Sequence, residues 1–542
     1  MSALDQILAD RKTKLDNYVA AGINTYATGF QPLFISSDIR NLVLNKTPEE
    51  LEELKNIPIA IAGRIVSNRV QGKLGFADLL DRDGKIQLMA KLDNLGPESL
   101  AGFKNLDEGD IVGIEGFAML TKAGEPTVAI KSWQLLTKNM MPLGDKYHGV
   151  TDIDTRYRKR YIDLFADWQN PDATKKLAVR EIFQRRAVII KTIRSLLEDG
   201  EFLEVETPTF HHGVSGANAK PFETHHNTLD LDLHLRIAPE LYLKRLLVGG
   251  LERVFEIGKN FRNEGISAQH SPEFTMLELY WAYASHAELM NLIEQLFVNI
   301  SNQMVLLDER RVARGYAAIG NVVYNEDNQY ELTYGDHKLS LAPFQRLTMI
   351  EAIAKYLPTS NLASFITDEA LNNLETILST PEALMQLIIA STLTNRTQLL
   401  KATYGEQILF FFETVVEHNL INPTFIMDFP ADISPLSRKK DDNFLFVDRF
   451  ELYVAGKEIA NGFNELNDPV DQKTRFQAQL AAKANGNQEA MDYDEDYINA
   501  LEIGMPPAAG LGIGIDRLVM LFTNSSSIRE VILFPLLRPE NK

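Results

Sequence analysis

The chain has 542 residues, which is too many for one hydrophobic core, so we expect two or three domains. Its hydrophobic fraction of 45% and charged fraction of 24% are typical of a soluble globular protein without a membrane-spanning segment. The absence of cysteine excludes disulfides, thiolate zinc sites and cysteine nucleophiles, and it favours a cytoplasmic protein. The net charge of −19 excludes non-specific nucleic-acid binding, because that activity depends on neutralising phosphates.

The first part of the chain predicts a helical segment followed by a barrel. Residues 1–55 are charged and helical in pattern. Residues 56–140 differ, because apolar and polar residues alternate there in five short segments, with turns at Asp81-Arg-Asp-Gly84 and Ala123-Gly124. Five such strands predict a small closed barrel of the oligonucleotide-binding (OB) type.

One aromatic residue of this predicted barrel, Phe76, lies near Arg69 and Gln87. An aromatic ring beside basic groups can stack on a base of a single nucleic-acid strand. The other interpretation is a phenylalanine of the barrel core among solvated charges, and the pattern alone favours it.

Residues 141–542 predict a second domain of strands and helices, with a mostly helical insertion at about 344–425. At its centre we expect a hairpin, residues 253–280, in which two strands are joined by a polar loop. The second strand alternates so that Phe274, Met276, Glu278 and Tyr280 share one face. This face mixes aromatic rings with a carboxylate, which an ordinary core would not contain.

Several common catalytic motifs are absent from the sequence. It has no GxxxxGK phosphate loop, no HExxH zinc motif and no GxSxG nucleophile motif. The glycines at 510, 512 and 514 do not complete a GxGxxG motif, because Ile515 and Arg517 occupy the later positions. These glycines would instead let a ligand approach the backbone closely.

Carboxylates are the main candidates for chemistry. Glu240, Glu278 and Glu465 occur in three separate and otherwise apolar segments. Half-buried carboxylates repel one another and lose hydration, so we expect a metal or a bound cation to compensate them. Glu451 and Glu458, at a strand end and after a turn, offer the oxygen ligands that Mg²⁺ prefers.

Arginines and an aromatic residue complete the candidate site. Arg262 and Arg517 are suited to a planar anion such as a phosphate or a carboxylate. Phe274 offers the face of its ring to a purine. Together with the carboxylates, these residues predict a nucleotide site with a metal, built on an antiparallel sheet.

Three motifs in a fixed order carry a resemblance to a known family. They are a helix and strand ending in Gly200-Glu-Phe-Leu-Glu-Val-Glu-Thr-Pro208, then Phe261-Arg-Asn-Glu-Gly265 through Pro272-Glu-Phe-Thr275, then Gly512-Ile-Gly-Ile-Asp-Arg517. Arg236-Ile-Ala-Pro-Glu-Leu-Tyr242 and Asn461-Gly-Phe-Asn-Glu-Leu-Asn467 lie between them. With these motifs the chain resembles the class II aminoacyl-tRNA synthetases, and within that class the lysyl-tRNA synthetases.

The resemblance implies an α+β fold: an N-terminal OB-type β-barrel that binds the anticodon, and a class II synthetase catalytic domain built on an antiparallel β-sheet flanked by helices. It implies activation of L-lysine with ATP to lysyl-adenylate and pyrophosphate, followed by transfer of lysine to the 3′ end of tRNA-Lys. It also implies Mg²⁺ as cofactor, a cytoplasmic homodimer whose interface is built by the first motif, and no membrane partner.

The resemblance assigns roles to the residues of the ATP site. Arg262 should contact the α-phosphate and the amino-acid carboxylate, and Arg262 and Arg517 are the expected catalytic residues. Glu264 should hydrogen-bond the adenine, His270 should lie near the outer phosphates, and Phe274 with Arg517 should enclose the adenine ring.

The resemblance also assigns the remaining site residues. Glu451 and Glu458 should bind Mg²⁺. In the barrel, Phe76 should stack on an anticodon base with Arg69 and Gln87 nearby, which reverses the preference stated above. The lysine pocket should consist of Gly216, Glu240, Glu278, Tyr280, Asn461, Phe463 and Glu465.

The charge of this pocket favours lysine independently of the family. One ammonium–carboxylate contact at ~4 Å contributes roughly 4 kcal/mol at an effective dielectric constant near 20, before desolvation. Glu240 and Glu278 cannot both serve the same atom, so we assign one to the α-ammonium and one to the ε-ammonium, with Tyr280 between them and Phe463 along the methylenes. An aspartate side chain would be repelled by Glu278.

Two other functions remain open at this point. A related ligase could attach lysine to a protein, but such ligases lack the barrel that residues 56–140 predict. A non-catalytic nucleic-acid-binding protein would not need Arg262, Glu264, Phe274 and Arg517 together. Gln269 and Ser271 differ from the residues common in the family, so contacts to the outer phosphates could be distributed differently.

Overall fold

The computed structural model of the chain describes residues 2–142, 152–166, 177–313, 317–326, 329–487 and 489–540. Contacts between Cα atoms divide the chain into two compact units. Unit 1 comprises residues 1–180 and 310–317, and unit 2 comprises residues 181–309 and 318–542. Across the described residues, no helix combines the length and the apolar character needed to cross a membrane.

Unit 1 contains the barrel that the alternating segments predict. Its strands are β1 Ile59–Gln71, β2 Leu74–Leu80, β3 Lys85–Lys91, β4 Ile111–Leu120 and β5 Pro126–Thr137. They close in the order β1-β2-β3-β5-β4, and the β3–β5 pair alone is parallel among these barrel strands. Ile61, Leu79 and Leu88 are fully buried inside. The predicted five-stranded closed barrel is confirmed.

Unit 1 also contains helices before, between and after the barrel strands. They are α1 Ala3–Ala20, α2 Ser36–Val43, α3 Pro48–Glu53, α4 Leu92–Lys104, α5 Ile153–Arg158 and α6 Arg160–Ala166. The sequence sets where α3 begins, because Thr47 and Glu50 form a reciprocal capping box. Buried Tyr18 of α1 and Phe103 of α4 join the barrel core.

Unit 2 is built on a large sheet. Its strands are β6 Leu203–Glu204, β7 Phe210–His211, β8 Glu223–His226, β9 Leu231–Leu235, β10 Arg253–Phe261, β11 Glu273–Ala282, β12 Val322–Tyr324, β13 Tyr330–Tyr334, β14 His337–Ser340, β15 Gln345–Thr348, β16 Thr424–Pro430, β17 Phe446–Val454, β18 Lys457–Asn464 and β19 Ala508–Gly514. Within the described residues, eight of them form one sheet in the order β15-β16-β17-β18-β19-β11-β10-β6. The inner pairs are antiparallel, and the pairs at both edges are parallel.

Helices pack around this sheet, as the α+β prediction requires. They are α7 Val179–Asp199, α8 Glu240–Val248, α9 His286–Ala313, α10 Met349–Tyr356, α11 Asp368–Leu371, α12 Leu374–Leu378, α13 Pro381–Ala390, α14 Arg396–Leu399, α15 Tyr404–Val415, α16 Pro469–Ala484, α17 Glu495–Gly504, α18 Ile515–Thr523 and α19 Ile528–Val531. Helices α10–α15 lie in sequence between β15 and β16. They share a core with these strands, in which Phe411 and Phe412 are fully buried.

The strand expected up to Pro208 is much shorter in the structure. Only Leu203–Glu204 pairs, in parallel, with Val254 and Phe255 of β10. At Thr207 the backbone N–H and the hydroxyl instead donate to the Glu256 carboxylate, at 3.1 and 2.7 Å. At Thr207 the Glu256 side chain, and not the backbone of β10, is therefore the hydrogen-bond partner.

The register of the central strands brings distant residues onto one face of the sheet. Residues paired directly across antiparallel strands point to the same side. One row across β17, β18, β19 and β11 consists of Glu451, Asn461, Gly512 and Glu278, and the next consists of Arg449, Phe463, Gly510 and Tyr280. The predicted alternation of β11 is what places Glu278 and Tyr280 in these rows.

Candidate active site

A cavity of about 420 Å³ opens on this face of the sheet in unit 2. Its wall contains nearly all of the predicted site residues: Gly216, Glu240, Arg262, Glu264, His270, Phe274, Glu278, Tyr280, Glu451, Glu458, Asn461, Phe463 and Arg517. Glu465 is the exception, since it does not line the cavity and is only 1% exposed. The three barrel residues Arg69, Phe76 and Gln87 belong to unit 1.

The hairpin of β10 and β11 presents an arginine over an aromatic ring. The Arg262 guanidinium carbon lies 5.2 Å from the centre of the Phe274 ring. The buried Nε of Arg262 has no hydrogen-bond partner among the described residues. A cation–π contact therefore holds this guanidinium at the cavity wall, and its Nε donor has no partner in the protein among the described residues.

Arg517, at the start of α18, connects three segments of the site. It donates 2.8 Å to the backbone carbonyl of Glu458, lies 3.5 Å from that residue's carboxylate, and approaches His270 Nε2 at 3.4 Å. Partial burial and the Arg517 charge lower the pKa of His270. One face of the Phe274 ring is covered by Arg262, which the sequence analysis did not predict. That Phe274 and Arg517 enclose an adenine stays a prediction.

Two carboxylates face the cavity near Arg517. Glu451 lies in the middle of β17, so its predicted position at a strand end was wrong; its carboxylate accepts hydrogen bonds from Arg449 and, at 2.6 Å, from the Tyr453 hydroxyl. Glu458 is the second residue of β18, and burial followed by the Glu451 charge raises its pKa. Each carboxylate of this pair has one arginine beside it, Arg449 for Glu451 and Arg517 for Glu458.

The Glu451–Glu458 pair fits a divalent cation that also binds phosphate. The described residues contain no group of three or more His, Cys, Asp or Glu side chains placed to hold a metal. Mg²⁺ in nucleotide sites usually takes one or two carboxylates, with substrate phosphates and waters as its other ligands. Two carboxylates beside an open cavity satisfy that requirement.

Among the described residues Glu278 forms no ion pair, although the charges of Arg236 and Arg262 favour its ionised form. It is 5% exposed, and its partners are two neutral donors, the Tyr280 hydroxyl at 3.3 Å and the Asn260 amide at 3.4 Å. Burial, followed by the nearby Glu240 charge, raises the pKa of Glu278 to about 8. A bound cation would relieve this cost directly.

The other two carboxylates of the group have a cation of the protein itself beside them, which the sequence analysis did not predict. Lys244 is 0% exposed and forms ion pairs with Glu240, at 2.5 Å, and with Glu465. Burial alone would lower the Lys244 pKa, but the two carboxylates outweigh burial and raise it. A role for Lys244 in helix α8 was not predicted from the sequence. The signal that could have shown it is the spacing: Lys244 comes four residues after Glu240 in an otherwise apolar turn.

The glycines of β19 leave room for side chains of the site. A Cβ atom on Gly510 would lie 2.0 Å from Glu465 Oε1 and 2.6 Å from the Tyr280 ring. A Cβ atom on Gly512 would meet only the end of the Met276 side chain, at 3.1 Å. The sequence predicted glycines here so that a ligand could approach the backbone. At position 510, packing among the protein's own side chains already requires a glycine.

Two further charged residues organise the site and were missed. Arg449 donates to the Asn461 amide oxygen at 3.1 Å and also pairs with Glu451, so it orients two residues of the wall. Asp516 accepts from the Thr275 backbone N–H at 2.7 Å and from Arg186 at 2.6 Å. The signal for Asp516 was its position beside Arg517 in the third motif.

In unit 1 the three predicted barrel residues share one face. Arg69 pairs with Phe76 across β1 and β2, and Asp78 pairs with Gln87 across β2 and β3. Phe76 is half-buried, so the interpretation as a core phenylalanine is wrong. The Arg69 guanidinium lies 3.4 Å from the Asp78 carboxylate, and the Gln87 amide oxygen accepts from Thr127 at 2.9 Å.

Comparison with known proteins matches both parts of the chain to family models. The model described as tRNA synthetases class II (D, K and N) matches residues 152–538. The model described as OB-fold nucleic acid binding domain matches residues 59–136.

Individual relatives are similar over their whole length. The protein named lysine–tRNA ligase of Moorella thermoacetica is 45% identical over 543 residues, covering 100% of both chains. Proteins of the same name from Bacillus cytotoxicus and Xanthomonas oryzae are 44% and 45% identical, covering 98% and 99% of this chain and 97% of each relative. The motifs, the fold and these matches agree, and the chain belongs to the class II tRNA synthetases of the D, K and N group.

Proposed function

We propose that the chain is a lysine–tRNA ligase. The observation that carries the proposal is Glu278, a buried carboxylate in the cavity wall whose side-chain partners are neutral donors. A cationic side chain would gain a charge contact there, whereas the side chain of aspartate would be repelled and that of asparagine would leave the charge uncompensated. Relatives named lysine–tRNA ligase, 43–45% identical over nearly the whole chain, support the same substrate.

Lysine would lie between Glu278 of β11 and Glu240 of α8. Its ε-ammonium contacts Glu278 and the Tyr280 hydroxyl, and its α-ammonium contacts Glu240. Phe463 packs against the methylenes, because an apolar surface suits that part of lysine. Gly216 and Asn461 complete the wall, and Glu465 acts through its ion pair with Lys244.

ATP would occupy the part of the cavity lined by the hairpin and α18. Arg262 binds the α-phosphate and the lysine carboxylate, which its unpaired Nε supports. Phe274 and Arg517 enclose the adenine, Glu264 hydrogen-bonds its edge, and His270 lies near the outer phosphates. Arg262 and Arg517 are the two catalytic residues in this assignment.

Glu451 and Glu458 would hold Mg²⁺ with oxygens of ATP. When bound, the ion neutralises charge on the phosphates. Arg449 and Tyr453 hold the Glu451 carboxylate in place from the protein side.

The reaction needs no nucleophile from the protein. The lysine carboxylate attacks the α-phosphorus of ATP, and pyrophosphate leaves. The terminal ribose hydroxyl of tRNA then attacks the carbonyl carbon of the adenylate, and AMP leaves. Arg262 contributes by aligning the attacking carboxylate with the α-phosphate and by balancing the charge that develops there.

The barrel would bind the anticodon of tRNA-Lys. Phe76 stacks on one base, and Arg69 and Gln87 contact its neighbours. In this assignment residues 1–55 support the anticodon-binding domain of residues 56–140, and residues 141–542 form the catalytic domain with its insertion at about 344–425.

We further propose a homodimer that works in the cytoplasm, where tRNA is charged for translation. The first motif supplies the interface, and the exposure of Leu203 (51%) and Phe210 (55%) near it supports an apolar contact between copies. Light scattering should give twice the mass of one chain; the mass of a single chain would contradict the dimer.

Exchange of pyrophosphate into ATP tests the activity directly. Lysine should drive exchange far better than aspartate or asparagine, and purified tRNA should then be charged with lysine. Charging of a protein in place of tRNA would favour the protein ligase, and no exchange with any amino acid would favour a non-catalytic binding protein.

A further inference from the structure

A mostly buried arginine of helix α7 joins four elements of unit 2. Nη1 of Arg186 donates to the Asp516 carboxylate at 2.6 Å and to the backbone carbonyl of Val531 at 3.2 Å. Its Nη2 donates to the Thr275 hydroxyl at 3.1 Å. Asp516 lies in α18, Val531 in α19 and Thr275 in β11, so one guanidinium connects α7 to three other elements.

Two of these partners lie directly beside the residues that are assigned to the adenine of ATP. Thr275 follows Phe274 in β11, and Asp516 precedes Arg517 in α18. Asp516 also accepts from the Thr275 backbone N–H at 2.7 Å, so the two neighbours are bonded to each other as well as to Arg186. A shift of either neighbour would therefore move Phe274 relative to Arg517.

Arg186 acts on this region from the face of the sheet opposite the ligand. Thr275 and Phe274 are consecutive in a strand, so their side chains point to opposite faces. On the Thr275 face, Leu277 of β11 lines a small apolar cavity together with Ile193 and Leu197 of α7. Arg186 is not among the described residues that line the large cavity. It therefore supports the site without forming its wall.

Burial makes this contact depend on an arginine. Asp516 is 2% exposed, and the Arg186 ion pair offsets the cost of burying its carboxylate. A guanidinium presents its donors in a planar fork, so it can reach a carboxylate, a hydroxyl and a carbonyl together. A lysine would keep the charge beside Asp516, but its compact ammonium does not match acceptors that are arranged along a fork.

We propose that Arg186 is a positioning residue for the adenine part of the ATP site: by binding Asp516 and Thr275 together, it fixes Arg517 relative to the Phe274 ring and so sets the gap that receives the base. The inference deepens the proposed function and rests on it. Arg186 does not touch ATP; it acts through its two partners.

Replacing Arg186 by lysine tests this inference through binding alone, without catalysis. In Arg186→Lys the charge remains but the fork is lost, so the Kd for ATP should rise at least about fivefold. The Kd for lysine should stay at the wild-type value. Pyrophosphate, which has phosphates but no base, should also bind as it binds the wild type. Titration calorimetry on the full chain, at one fixed Mg²⁺ concentration, measures all three constants.

The preceding residue provides a matched control for loss of stability. Arg185 is also buried in α7, but it forms an ion pair with Asp308 of α9. Arg185→Lys is the same chemical change one position away. It should lower the Tm and leave the Kd for ATP unchanged, because neither Arg185 nor Asp308 contacts the residues beside Phe274 and Arg517 through a described hydrogen bond.

Thr275→Val removes the hydroxyl acceptor and keeps the branched shape of the side chain. It should raise the Kd for ATP about twofold to threefold without changing the Kd for lysine. In the Thr275→Val background, Arg186→Lys should have a smaller effect on ATP binding than in the wild type, because the two residues act through one contact.

The outcomes separate this inference from the proposed function. A wild-type protein that does not bind ATP would overturn the proposed function. A wild-type protein that binds ATP would leave the inference alone overturned in three cases: an unchanged Kd for ATP in Arg186→Lys, an equal rise in Arg185→Lys, or an equal rise for pyrophosphate. If Arg186→Lys does not fold, Thr275→Val decides: weaker binding of ATP with unchanged binding of lysine supports the inference, and unchanged binding of ATP overturns it.

Discussion

At the scale of single residues, the proposed position of the substrate cation follows from the distribution of charge in the cavity. Lys244 already occupies the carboxylates of Glu240 and Glu465, whereas Glu278 has only neutral donors at 3.3 and 3.4 Å. The charges of Arg236 and Arg262 offset part of the cost of burying Glu278, and in the proposed function the substrate ammonium would offset more of it.

Glu278→Gln should weaken lysine binding without destabilising the fold. The amide keeps the shape of the side chain but removes the charge, so KM for lysine should rise at least about a hundredfold while KM for ATP stays similar. Steady-state kinetics and thermal unfolding measure both effects. A variant that unfolds easily yet activates lysine normally would show that Glu278 is structural.

The raised pKa of Glu278 predicts how lysine binding depends on pH. Below about 8 the free carboxyl holds a proton that the incoming ammonium must displace, so lysine affinity should increase as the pH rises towards that value. Calorimetric titration across this range measures the slope. An equal slope in Glu278→Gln would assign it to another group.

The same group affects the stability of the free protein with the opposite sign. Its folded pKa of about 8 lies above the value in the unfolded chain, so the folded state holds the proton more tightly. The free energy of unfolding should fall as the pH rises from the ordinary glutamate pKa of about 4.3 towards that folded value. Glu278→Gln should reduce this fall, which denaturant unfolding at several pH values measures.

Residue chemistry was only partly predictable from the sequence. Glu278 stood out because a carboxylate alternated with aromatic and apolar residues in one strand. Lys244 did not, since its role depends on Glu465, which lies more than two hundred positions away and reaches it only through the fold. The presence of the protein's own cation beside Glu240 and Glu465 was not predicted for that reason.

At the scale of elements, strand β19 shows how packing and chemistry share one segment. Its glycines pair with Glu278 and Tyr280 on one side and with Asn461 and Phe463 on the other. Side chains at these positions of β19 would fill the floor of the cavity between the site residues of β11 and those of β18.

Gly510→Ala and Gly512→Ala form a matched pair that tests this packing. The new methyl of Gly510→Ala meets Glu465 and Tyr280 at 2.0 and 2.6 Å, so it should cost about 1–3 kcal/mol of stability and reduce lysine activation. Gly512→Ala meets only the flexible end of Met276 and should be milder in both respects. Thermal unfolding and exchange kinetics compare them; equal effects would contradict the steric account.

Phe76→Ala should impair tRNA charging without impairing lysine activation. Loss of one stacked base corresponds to about 1–3 kcal/mol, which should appear as a higher KM for tRNA. Phe117→Ala is a suitable control, because Phe117 is also half-buried but lies on β4, away from the β1–β2–β3 face. Equal losses in both variants would mean that Phe76 acts through barrel stability.

Elements with local signals were predicted best. The alternation of β11, the hairpin with β10 and the strands of the barrel follow from side-chain period and turn residues. Two features do not follow from such local signals: the parallel pairing of β3 with β5 in the barrel, and the shortness of β6. Both depend on partners that are distant in sequence. The hydrogen bond from the Thr207 backbone N–H to the Glu256 carboxylate also depends on the tertiary structure.

At the scale of the whole molecule, the proposed function assigns a different kind of recognition to each of the two units. Unit 1 carries a barrel face with an aromatic ring and polar neighbours, and unit 2 carries the cavity with its carboxylates and arginines. The overall charge of −19 is compatible with a tRNA substrate because specific recognition needs only locally grouped basic residues.

The central claim is that Glu278 recognises the side-chain ammonium of lysine. Norleucine has nearly the same shape as lysine but ends in a methyl group, so it isolates that contact. The ratio of kcat/KM for lysine to that for norleucine in ATP–pyrophosphate exchange should be large in the wild type and should collapse in Glu278→Gln. An unchanged ratio in the variant would contradict the claim.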